Sequence, residues 1–187
     1  RYPATGTLTH ETAFNVPWMS TTGGGWQRRP TAEELTTLKY KAGDLGAWLE
    51  VTNAEITVYH MWDESCIGIA AIDTDRRTLK LAPASGHPPG AFGVKKYVLW
   101  NIKEGLTEPG QWYHDRARNR IVYWPKPGED MGKLRVVVPT QTSILSLRGS
   151  PDKPIKDITV RGLTFAGTTA PLVAGGFAAA AFDGAIS

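Results

Sequence analysis

Between residues 47 and 138, apolar and polar positions alternate in short runs. Residues 47–51, 56–60, 67–72, 78–81, 97–102, 111–115, 120–124 and 134–138 have strand length and are divided by turn residues. Asp73-Thr74-Asp75-Arg76-Arg77 forms one predicted turn, and residues 115–119 form a hairpin-like one. Ser85-Gly86-His87-Pro88-Pro89-Gly90 reads as a loop that excludes helix. Strands at this spacing predict a sandwich. Upstream, Pro3, Gly6, Pro17, Pro30 and Gly23-Gly24-Gly25 leave room only for short strands, near 7–9 and 13–16. Thr31-Ala32-Glu33-Glu34 has the form of a capping box, with Leu35 and Leu38 on one face, and predicts a helix at 31–39. Beyond Pro139, residues 143–147 and 158–165 read as strands. The step from 163–165 to Ala185 and Ile186 is in the low twenties, the length of one β-solenoid coil.

Composition sharpens this picture. The chain has 20 Gly and 13 Pro in 187 residues, more than the roughly 12% usual for the pair, so connections are many. Seven Trp and 41% hydrophobic content exclude disorder, and helical bundles and coiled coils fit none of these numbers. The net charge of +3 is concentrated in residues 116–135, where Arg116, Arg118, Arg120, Lys126, Lys133 and Arg135 face Glu129 and Asp130. That patch flanks an apolar strand rather than lining one face with stacking aromatics, so nucleic acid is not an expected partner. Cys66 is the single cysteine, which excludes an intrachain disulfide. Residues 162–182 are uncharged but contain Pro171 and four glycines, so no membrane span is expected. Between 162 and 187 the one charge is Asp183. A stretch so apolar must be covered. The expectation is that the chain is a piece of a longer protein whose remainder packs on 162–187.

Three stretches carry a family resemblance. The first is Glu108-Pro109-Gly110-Gln111-Trp112-Tyr113-His114-Asp115, followed by Ile121-Val122-Tyr123-Trp124-Pro125 and Gly128-Glu129-Asp130. The second runs from Pro151-Asp152-Lys153-Pro154 through Asp157-Ile158-Thr159-Val160-Arg161-Gly162-Leu163-Thr164-Phe165. The third is His60-Met61-Trp62-Asp63-Glu64-Ser65. Together they resemble large bacterial proteins of the pectate-lyase-like superfamily, with a right-handed parallel β-helix. They resemble glycoside hydrolase families 120 and 141, in which a β-sandwich is inserted between early coils. The resemblance implies an all-β fold: residues 1–14 leave an early coil, 15–138 form the inserted β-sandwich-like domain, and 139–187 begin one or two returning coils. It implies a secreted or periplasmic polysaccharide-degrading parent, a glycoside hydrolase acting on a poly- or oligosaccharide without a cofactor. Its catalytic carboxylates are then expected on later coils, so that this segment shapes the substrate cleft. Two alternatives stand beside it: a non-catalytic glycan-binding or structural module of a β-helix surface protein, and a polysaccharide lyase. A lyase of this kind would use a Lys or Arg base and often calcium, and no acidic calcium cluster is visible.

The residues themselves supply candidates for the site. His60, Trp62, Asp63 and Glu64 form the densest polar-aromatic cluster. An indole suits the C–H face of a sugar ring, while His60 and a carboxylate suit its hydroxyls. The alternative is a strand end, with Trp62 in the core and Asp63 capping a turn. Trp18 and Trp26 flank the Gly-rich loop and are either stacking residues near a cleft or packing against the short helix. Asp63 and Glu64 are neighbours on a strand and point to opposite faces, a poor acid/base pair. Asp183, alone in an apolar stretch, is a weak candidate general acid, or else an Asx-turn before Gly184. Trp100, Trp112, Tyr113, Tyr123 and Trp124 read as core or sheet face. His10, His60, His87 and His114 lie 27 or 50 residues apart, without metal-ligand spacing.

Overall fold

The computed structural model describes residues 1–19, 24–169 and 172. They divide into two units, one built on Arg1–Glu129 and the other within Asp130–Pro171. The first unit is almost entirely β. Its strands are β1 (Leu8–Thr9), β2 (Thr37–Lys39), β3 (Glu55–Tyr59), β4 (Glu64–Asp73), β5 (Thr78–Ala82), β6 (Lys96–Trp100), β7 (Trp112–Asp115) and β8 (Arg120–Tyr123). The first six form one sheet in the order β1-β6-β3-β4-β5-β2, and β7 and β8 form a separate hairpin. Every pair of these strands is antiparallel.

Alternation explains the sheet. Ile56 lies between Ile67 of β4 and Leu99 of β6, and Val58 between Ser65 and Tyr97. Leu79 pairs with Leu38 on one side and Ile72 on the other. Ile56, Val58, Ile67, Leu79, Leu99 and Tyr97 are all fully buried on this face, joined by Leu38 and Tyr40. The run at 67–72 breaks strict alternation because Ala70 is an extra residue opposite β5: Ile69 pairs with Leu81, then Ala71 with Lys80. That bulge lets Ile69 and Ile72, three residues apart, both pair with leucines of β5.

The expected helix is shorter than the sequence pattern predicts. Helix α1 spans Ala32–Thr36, with the Thr31–Glu34 capping box in place. Thr37, Leu38 and Lys39, assigned to the helix by sequence, are extended and pair with β5. Burying Leu38 against Leu79 outweighs continuing a short amphipathic turn. Glu34 also binds Arg28. That bond, followed by the Thr31 amide, lowers its pKa to about 2.

Three further expectations change. Residues 13–16, 47–51 and 134–138 are not strands; 47–51 form turns instead. A sandwich is not formed among the described residues: one six-stranded sheet stands with one hairpin. In the second unit, 143–147 and 158–165 form no strand among the described residues, and the parallel pairing of a β-helix is not seen. A strand needs an edge with which to exchange hydrogen bonds. Here Leu147, Ile158, Val160, Leu163 and Phe165 remain exposed. Ala185 and Ile186 lie outside the described residues.

A buried polar junction fastens the β7–β8 hairpin to the sheet. Asp115 is fully buried and accepts from Arg118 and Arg120, both at 3.2 Å, and from Asn53 at 3.4 Å. Asn53 accepts from the Arg116 amide at 2.7 Å, and Arg116 pairs with Glu55. Asn101 joins the Asn53 and His114 carbonyls at 2.7 and 3.0 Å. Burial works to raise the Asp115 pKa, but the bonds from Arg118, Asn53 and Arg120 outweigh it and the pKa is lowered. The junction is therefore at full strength above the ordinary carboxylate range and is lost as pH falls through the lower folded value. Asp115→Ala is expected to speed amide exchange at Tyr113 and Val122 while Ile56 and Leu99 stay protected. Equal loss of protection at all four would show that the junction supports the whole unit.

Candidate functional site

Three segments meet at one end of the sheet. The N-terminal segment brings Phe14, Trp18 and Trp26. A bridge pairs Trp18 with Trp26, and the Met19 amide donates to the Gly25 carbonyl at 2.7 Å, closing the Gly-rich loop. Residues 20–23 within that loop lie outside the described residues. The β3–β4 connection brings His60, Trp62 and Asp63 through a tight turn, in which the His60 amide donates to the Asp63 carbonyl at 2.9 Å. The connection from β5 to β6 brings Ser85, Gly86, His87 and Phe92.

Phe92 is the wedge. Its φ of 55° is left-handed, a conformation a bulky residue rarely adopts. It stands between Gly90 and Gly93, which take positive φ as well. A Cβ at Gly90 would collide with the Thr12 carbonyl, so this turn requires glycine there. The turn places the Phe92 ring 4.7 Å from both Trp26 and Trp62 and 5.6 Å from Trp18. Trp18 stands edge-on to Trp26 at 4.9 Å and lies 6.1 Å from Trp62. The rings pack against one another. They form a shelf whose outer surface is indole: Trp62 is 57% exposed and Trp18 37%.

Beneath the shelf lies a buried knot of hydrogen bonds. His60 Nε2 is 2.8 Å from Ser65 Oγ and 3.2 Å from Ser85 Oγ. Ser85 Oγ lies 3.1 Å from Ser65 Oγ, which also accepts from the Gly86 amide at 2.9 Å. His87 Nε2 lies 3.5 Å from Asp63 Oδ2, and its ring stands edge-on to His60 at 5.4 Å. Burial, then the neighbouring His87 and His10, lower the His60 pKa to about 4. His10 is 1% exposed, and among the described residues neither ring nitrogen meets a partner at full hydrogen-bond geometry, the Thr12 backbone being the polar group beside it. Burial and Lys95 lower its pKa to about 4, with the Thr12 backbone opposing the fall.

The five residues singled out by sequence, Trp18, Trp26, His60, Trp62 and Asp63, thus fall into one cluster, although more than forty positions separate the first from the last. Trp62 is not in the core, the alternative reading of its position. Asp183 lies outside the described residues. Ser65, Ser85, His87 and Phe92 are not among the site residues that the sequence singles out. Phe92 had a signal, a bulky residue inside Gly90-Ala91-Phe92-Gly93. The serines had none, since a buried hydroxyl, in a strand at Ser65 or in a loop at Ser85, looks like any other. Trp112, 60% exposed, lies on the outward face of the hairpin rather than in a core.

Chemically, the cluster offers a stacking surface and no hydrolytic pair. Asp63 is its carboxylate. Ser65 and His60 resemble a nucleophile and base, but Ser65 is fully buried, where no substrate reaches it. Among the described residues, no three His, Cys, Asp or Glu side chains are placed to hold a metal ion. No family profile, curated protein or solved structure matches the chain.

Both buried histidines must charge in acid. Because the folded pKa lies below the unfolded value, the unfolded state binds more protons between about pH 6.5 and 4. Stability is complete above that window and falls through it as pH drops. For His10 alone the loss between pH 7 and pH 5 is about 2 kcal/mol. Urea unfolding at the two pH values should show it, and His10→Phe should flatten the difference.

Proposed function

We propose that this chain is the substrate-recognition segment of a polysaccharide-degrading protein of the pectate-lyase-like superfamily, resembling glycoside hydrolase families 120 and 141. In this reading the shelf of Trp18, Trp26 and Trp62 lines the cleft and takes the C–H face of a pyranose ring. The observation that carries it is the half-exposed indole of Trp62, held rigid by Phe92 and set above a buried polar knot. Rigid aromatic surface edged by polar groups is the chemistry that sugar rings select. The exposed alternation at Ile158, Val160, Leu163 and Phe165 supports the further reading that 139–187 takes up parallel β-helix coils when neighbouring coils stack on it. The substrate is a polymeric glycan, met in a secreted or periplasmic setting.

The second reading, a glycan-binding module without catalysis of its own, rests on the same exposed indole surface. Both readings predict that the chain binds glycan. A glycan array followed by calorimetry on the best hit tests this. Trp62→Ala should weaken binding about tenfold, the loss of one aromatic contact of roughly 1.4 kcal/mol. Absence of binding to every glycan would leave the segment a structural prop.

A further inference from the structure

We propose that the shelf selects a single glycan chain whose sugar planes turn from one ring to the next, a helical chain rather than a flat ribbon or the face of a polysaccharide crystal. The inference rests on the reading of the shelf as a glycan site and adds the shape of the chain that fits it.

The two exposed indoles do not share a plane. Trp62 is 57% exposed and Trp18 37%. Their ring centroids are 6.1 Å apart and their planes meet at 56°. A pyranose presents its C–H bonds above and below its mean plane, so its contact with an indole is face to face. A flat surface can therefore lie against one of these indoles and not against both. The same holds for a ribbon chain, in which successive rings are flipped but keep nearly one plane. Spacing narrows the choice further. A separation of 6.1 Å is close to that of neighbouring rings in a glycan chain, so the pair serves adjacent sugars. The second sugar then meets its indole only if its plane has turned against the first. Amylose, laminarin and xylan chains turn in this way. Cellulose, mannan and chitin chains lie flat.

The tilt is built into the protein. Phe92 is wedged between the two indoles, 4.7 Å from Trp62 at 73° and 5.6 Å from Trp18 at 56°. Trp26 stands edge-on to Trp18 at 4.9 Å and 88°, and itself rests on Phe14 at 4.9 Å. Gly24 lies against the Trp18 ring: a Cβ there would come 3.2 Å from Cζ2, and its φ of 80° also favours glycine. Bringing Trp18 and Trp62 into one plane would unpack Phe92 from both. The shelf thus meets the sugar chain at a fixed angle, and a chain that already turns gives up least in binding to it.

Calorimetry with soluble hexasaccharides tests the inference: maltohexaose, laminarihexaose and xylohexaose as turning chains, cellohexaose, mannohexaose and chitohexaose as flat ones. Adsorption to microcrystalline cellulose is measured beside them. At least one turning chain is expected to bind about tenfold more tightly than any flat one, the gain from a second aromatic contact, with no adsorption to the crystals. Trp18→Ala and Trp62→Ala should each weaken binding of that chain about tenfold. A flat hexasaccharide bound as tightly as any turning one, or adsorption to the crystals, overturns the inference and leaves glycan binding at the shelf intact. Unchanged affinity in a folded Trp18→Ala variant overturns it as well. Failure to bind any of these hexasaccharides also overturns it, while the glycan reading itself falls only if the whole array is blank. If Trp18→Ala disturbs the shelf, seen as a lost near-UV circular dichroism band, the wild-type ranking of turning against flat chains decides.

Discussion

The inward face of β4 reads Ile69, Ile67, Ser65, and the last of these sets the site. The first two complete the core against Leu81 and Ile56. Ser65 occupies the next position on the same face and is equally buried. A buried hydroxyl must be hydrogen-bonded or it destabilises the fold by roughly 1–3 kcal/mol. Among the described residues its partners include His60 at the end of β3, and Ser85 and Gly86 from the loop after β5. One polar residue at the end of an apolar row thus draws two loops together where the core stops.

The rest of the site follows from that constraint. Holding Gly86 on Ser65 sets the path of the loop, and glycines at 90 and 93 let it double back so that Phe92 points under the tryptophans. The shelf is then rigid because its rings pack on one another and not because each is hydrogen-bonded. Stacking of this kind is worth about 0.5–1.5 kcal/mol per pair beyond buried area. The exposed outer surface of Trp62 is what remains for a partner. The polar junction at Asp115 does for the β7–β8 hairpin what Ser65 does for the loops: it holds a peripheral element by buried hydrogen bonds where the apolar core gives out.

Much of the sheet was legible because Ile56/Val58, Leu79/Leu81 and Tyr97/Leu99 alternate as half-buried strands do. The capping box at Thr31 marked the helix start, but nothing local marked its end, since Leu38 serves either a helix face or a strand. The bulge at Ala70 was visible only as a fault in alternation. Residues 143–147 and 158–165 carry strand patterns without strand structure among the described residues, because a pattern states which face wants covering and not whether a partner edge is present. In the site, Trp18, Trp26, His60, Trp62 and Asp63 were recognisable by type. Their meeting was not, because it depends on a buried serine with no signature in composition or spacing and on a left-handed phenylalanine marked only by the glycines beside it.

The central claim is that Ser65 joins core to site. The near-UV circular dichroism of Ser65→Ala, measured at pH 7 beside amide exchange in β3 and β6, tests it most directly. The account predicts that Ile56 and Leu99 keep their protection while the tryptophan band collapses, because His60 and Gly86 lose the hydroxyl that holds them. An unchanged tryptophan band in a folded Ser65→Ala variant would contradict it.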